Sequence, residues 1–135
     1  MLYKINCDVP ANTAIAAPDW QKLKMSKGTI IEWIIVTPLE CANLMQFWVE
    51  YHGVQILPFS RGERIWGLSW PTVIKDNIKI DNPPYELDVY ASNTDTVKNH
   101  EYNIYCNIEP ATAVIPGDET AGLWDKIKGF IGGEE

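Results

Sequence analysis

Two histidines, His52 and His100, are the only imidazoles available for acid–base or metal chemistry in this 135-residue chain. No GxSxG, P-loop, HExxH or dinucleotide fingerprint surrounds them, and no Cys or His stands at zinc-ligand spacing. His52 falls in a turn and His100 at the end of a loop, so both are expected as solvated surface residues. Asp76, Asp81, Asp88, Asp95 and Glu101 lie in or near loops, where calcium could be held by carboxylates and backbone oxygens. They do not follow the EF-hand order, and solvated loop carboxylates are the expectation. Cys7, Cys41 and Cys106 make an odd count without a CxxC pair. Cys7 and Cys106 occupy inward positions, Cys41 lies in the PLECAN loop, and the buried thiols should act as small hydrophobes. The strand pattern brings no nucleophile, base and orienting group together. The sequence therefore predicts a chain that is not an enzyme and carries no metal or cofactor.

Tryptophan is the unusual residue, with six copies. Trp33 sits in an apolar run and belongs to the core. Trp48 alternates with Gln46 and Glu50 on the polar side of its strand, and Trp66 and Trp70 fall in an irregular stretch. Tyr90 shares a polar face with Glu86 and Asp88. Exposed aromatics on a β-domain either stack on sugar rings or anchor a protein interface. Trp48, Trp66, Trp70 and Tyr90 are the candidates for such contacts.

The elements that must position these residues are strands. Aromatic and β-branched residues gather into short runs separated by Pro, Gly, Asn and Asp. Leu2–Cys7 alternates as a half-buried strand. A loop region punctuated by Pro10, Asn12, Pro18 and Asp19 holds a short segment, Thr13–Ala16. Thr29–Thr37 is apolar on both faces and suits a central strand, stopped by Pro38. Met45–Tyr51, His52-Gly53 and Val54–Leu57 read as strand, tight turn and strand, with Gly53 supplying a positive φ. Pro58 to Pro71 is irregular. Thr72–Ile80 is a strand, with a break expected near Asp76-Asn77. Tyr85–Ala91 and Tyr102–Ile108 alternate cleanly around a polar connector. The predicted core includes Ile5, Ile31, Trp33, Ile35, Phe47, Val49, Leu87, Val89, Ile104 and Ile108. Seven or eight strands at this spacing predict an all-β fold: a single antiparallel β-sandwich over residues 1–110, jelly-roll or immunoglobulin-like.

Beyond Pro110 the composition shifts. Residues 111–119 read as a linker and 120–132 as an amphipathic helical tail. Leu123, Trp124, Ile127, Phe130 and Ile131 fall within an arc of about 120°, forming its docking face. A helix this short must dock to be ordered, whether on its own sandwich, a neighbouring subunit or a membrane surface. Lys126 and Lys128 flank the apolar stripe, but Asp118, Glu119, Asp125, Glu134 and Glu135 outnumber them, which disfavours anionic lipid. A neighbouring subunit is the expected dock.

A net charge of −7 argues against nucleic acid as a partner. The opening MLYKINCDVP lacks the apolar stretch of a signal peptide, so synthesis is expected in the cytoplasm. With exposed aromatics and a separate tail, the expected role is a structural, self-assembling subunit. A virus or phage capsid or another protein shell is the expected setting, with copies of itself and other particle proteins as partners. The alternative is a carbohydrate-binding module using exposed tryptophans.

Overall fold

The computed structural model describes residues 1–38, 44–67 and 71–111. Within these residues nine strands follow one another: β1 (Leu2–Val9), β2 (Asp19–Lys24), β3 (Gly28–Val36), β4 (Met45–Tyr51), β5 (Val54–Leu57), β6 (Ile65–Trp66), β7 (Thr72–Ile80), β8 (Glu86–Asn93) and β9 (His100–Pro110). They form two antiparallel sheets, one in the order β1-β9-β3-β7 and one in the order β2-β8-β4-β5, with β6 also paired to β4. The sheets meet across one core. Phe47 of the second sheet stacks on Tyr102 of the first, ring centroids 5.1 Å apart and 11° from parallel. The linker at 111–119 and the predicted helix at 120–132, with its face of Leu123, Trp124, Ile127, Phe130 and Ile131, lie outside the described residues (Ala111 excepted), as do Trp70 and Cys41.

The alternating runs become strands whose inward residues fill this core. On β9, His100, Tyr102, Ile104, Cys106 and Ile108 are all buried, and their neighbours are not. Between β4 and β5, His52 and Gly53 both take positive φ (51° and 80°). That is the backbone a two-residue hairpin needs to match strand twist.

Strict alternation fails on β3. Ile31 is an extra residue against β9, where Ile30 pairs with Ile108 and Glu32 with Asn107. Such a bulge inverts the parity of the strand. Ile30 is therefore buried and Ile31 only half-buried, correcting the predicted core, while Trp33 and Ile35 keep their inward places. Ile5 is also half-buried, packed against the core margin. Strand β7 runs unbroken through Asp76-Asn77, opposite the bulge, where Asp76 accepts the Trp33 indole N–H at 3.0 Å. Gly28 opens β3 against the β9 backbone, and a Cβ there would lie 2.6 Å from the Glu109 carbonyl oxygen.

Two elements fall where the sequence predicts loop. Strand β2 has one buried residue, Leu23, and β6 is two residues long. The Thr13–Ala16 segment contributes one isolated bridge, Thr13 to Asn93.

Candidate functional surface

Three aromatic residues lie in register across the outer face of the second sheet. Trp20 of β2 pairs with Tyr90 of β8, and Tyr90 pairs with Trp48 of β4. The adjoining row is Lys22, Asp88 and Glu50 in the same strand order. Trp48 is expected to be exposed, but only 6% of it is. Its ring stacks on Tyr90 at 5.4 Å and 17°, the Arg64 guanidinium sits 3.9 Å from its centroid, and its indole N–H donates to Glu50 at 3.2 Å. A cross-strand stack and a cation have taken the surface a ligand would need. Tyr90 is half-buried in the same stack. Burial, then the Glu50 and Asp88 carboxylates, push its phenol above the ordinary range. Trp66 on β6 remains 46% exposed beside Gln46.

Sequence reasoning missed Trp20, which is 53% exposed. It stands on the edge strand, donates its indole N–H to Asp88 at 2.9 Å, and lies 5.5 Å from the Lys22 ammonium. Lys22 in turn pairs with Glu86 at 3.1 Å. The alternation of Trp20 and Lys22 around Gln21 was the available signal, but with a single buried residue it is too short to mark a strand.

The opposite edge of this sheet holds a built loop. Buried Gln55 donates through Nε2 to the carbonyls of Pro58, Ser60 and Glu63 at 2.8, 3.1 and 2.9 Å. Its Oε1 accepts from Gly62 N at 3.3 Å and from Arg64 at 3.1 Å. One amide thus organises the excursion between β5 and β6 and aims Arg64 at Trp48. The same excursion leaves Phe59 78% exposed, and Val54 on β5 and Trp66 on β6 are exposed as well.

The histidines part company. His52 is exposed on its turn, its Nε2 2.9 Å from the Asn82 carbonyl. His100 is only 3% exposed, which corrects the expectation of a solvated residue; it faces Asp95 at 2.8 Å. Asp95 also accepts the backbone N–H groups of Val97 (2.9 Å) and Lys98 (3.1 Å). These two bonds first, and then His100, hold its carboxyl down at about 2. Asn93 completes the loop from inside, donating to the Val9 and Lys98 carbonyls. Cys7 and Cys106 are free and buried, as the sequence predicts. Burial raises both thiols, Cys106 to about 12. Among the described residues no three His, Cys, Asp or Glu side chains are grouped to hold a metal.

No protein-family model matches the chain, and no curated protein matches it. Among solved structures it is similar to hydroxypropylphosphonic acid epoxidase from S. wedmorenis, at 4% identity and a TM-score of 0.40. The match covers 78% of this chain and 43% of that one, so the chain spans less than half the epoxidase's length. The matching structure is an enzyme, which runs against the expectation that the chain is not one. At this level of likeness no activity, cofactor or residue role passes to the present chain.

Proposed function

We propose that the chain is a structural subunit that associates with copies of itself, in a capsid or comparable protein shell. The observation that carries the proposal is Phe59, held 78% exposed on a loop that Gln55 ties with five hydrogen bonds. A hydrogen-bonded loop that presents a large apolar side chain to solvent is ready to be covered by a partner. With β6 set aside, the two four-stranded orders support a jelly-roll reading, a fold that capsid subunits share with lectins and cupins. The fold alone selects none of these roles. A sugar platform built on Trp48 loses support, since that ring is already stacked and capped.

Sedimentation velocity of the full chain tests the proposal. Concentration-dependent association is expected, with closed particles in negative-stain micrographs. Phe59→Glu should weaken association by at least about tenfold, since burying a phenylalanine contributes about 1.5–3 kcal/mol. A chain that stays monomeric at high concentration, or an unaffected Phe59→Glu variant, would overturn it.

A further inference from the structure

Beside Trp20 the surface dips into a hollow of about 70 Å³, lined by Lys22, His52, Pro84, Glu86 and Asp88. It has room for a hydroxymethyl group or a pair of hydroxyls. Trp20 borders it through two lining residues, donating to Asp88 at 2.9 Å and lying 5.5 Å from the Lys22 ammonium. Among the described residues β2 is the edge strand, and Trp20 is 53% exposed there.

The lining offers donors and acceptors together. The Lys22 ammonium has three N–H groups, one directed at Glu86. Each carboxylate has about four acceptor sites, more than the indole and ammonium bonds occupy. The Asn82 carbonyl can only accept, so Nε2 of His52 carries the proton in their 2.9 Å bond. The ring is fixed in place by the hairpin turn and by edge-on contact with Tyr51 at 4.3 Å. An exposed aromatic face beside a recess with mixed hydrogen-bonding groups matches a polyol that has one apolar side. Two carboxylates against one lysine favour a neutral ligand over an anionic one.

We infer that Trp20 and this hollow form a binding subsite for a neutral sugar. One C–H face of a pyranose lies on the indole, and a hydroxymethyl or hydroxyl group enters the hollow to meet Lys22, His52, Glu86 and Asp88. The subsite does not depend on the assembly proposal, because Trp20 and Phe59 lie toward opposite edges of the sheet.

Amide and indole NMR spectra of the full chain test it. The probes are neutral oligosaccharides of glucose, galactose, mannose and N-acetylglucosamine at millimolar concentration, with sialylated and sulfated sugars alongside. The expected result is a shift of the Trp20 indole N–H resonance with at least one neutral sugar. Trp20→Ala should weaken that binding about tenfold or more, and Trp20→Tyr should retain part of it. Asp88→Asn should weaken binding while leaving the amide spectrum dispersed, which separates lost contacts from lost folding. The inference is overturned if no sugar in the panel shifts the resonance, if only anionic sugars do, or if Trp20→Ala binds as well as the parent.

Discussion

Asp95 shows how one side chain makes the loop before β9 pH-sensitive. Its carboxylate gathers two backbone N–H groups and the buried His100 ring, and these partners favour the charged form. The folded value of about 2 lies below the ordinary 3.8, so the stabilisation is complete above the ordinary value and is lost as pH falls through about 2. Thermal melts from pH 6 to pH 2 should show Tm falling over the acidic part of this range. In Asp95→Asn the fall between about pH 4 and pH 2 should be shallower, from a lower starting Tm at neutral pH. A parent profile identical in shape to the variant's would count against this role. Gly28 makes a second prediction. Alanine there would place its methyl 2.5 Å from Ile108 Cγ2 and 2.6 Å from the Glu109 oxygen. The side chain can move, but the backbone of a central strand cannot do so freely. Denaturant unfolding should show Gly28→Ala less stable by about 1–3 kcal/mol.

The β5–β6 excursion depends on a single amide. Gln55→Ala removes the partner of three carbonyls, one backbone N–H and the Arg64 guanidinium. Unsatisfied buried groups cost about 1–3 kcal/mol each, and this loop can relieve them by opening to water. Limited trypsin digestion should therefore cut Gln55→Ala at Arg61 or Arg64 faster than the parent, with the sheets intact by circular dichroism. Equal cleavage would show that the loop is held by something else. None of this was legible in the stretch from Pro58 to Pro71, because a hydrogen-bonding hub leaves no periodic trace in sequence. The hairpin around His52-Gly53 was legible, since alternating flanks and a residue tolerant of positive φ are local signals. The bulge at Ile31 was not, because only the registers with β7 and β9 reveal the extra residue. Trp48 teaches a related point. Alternation identified its face of the sheet, but Tyr90 and Arg64 decide whether water reaches it. His100 failed for a similar reason: its burial comes with the Asp95 contact and its pairing with Val9 of β1.

Across the whole molecule, the two sheets expose edges of different character. Strand β7 is nine residues long and carries Lys75 and Lys79 outward and Asp76 inward. Charges in these places discourage edge-to-edge strand pairing. The opposite sheet ends in β5 and β6, where the excursion interrupts any continuous edge. At these two edges association is thus expected through side chains such as Phe59 rather than by extending a sheet. Each copy carries a net charge of −7, so approaching subunits repel one another. Salt screens that repulsion while strengthening apolar contacts relative to it. Sedimentation at about 50 mM and 500 mM sodium chloride, where screening lengths differ about threefold, should show tighter association at the higher salt. Weaker association there would point to a contact held by ion pairs.

The two core thiols give the protein a chemical clock. Cys7 lies on the edge strand β1 and Cys106 on the interior strand β9, both with thiols raised by burial. Only the thiolate reacts with an alkylating reagent, so in the native state each site is protected by inaccessibility and by protonation. Modification then requires an opening event, and its rate reports how often that part of the fold comes apart. Release of β1 alone would admit reagent to Cys7, whereas Cys106 is flanked by β1 and β3 and should wait for a larger opening. Pulse alkylation followed by peptide mass spectrometry would thus time edge fraying and deeper unfolding separately, in the unmodified protein.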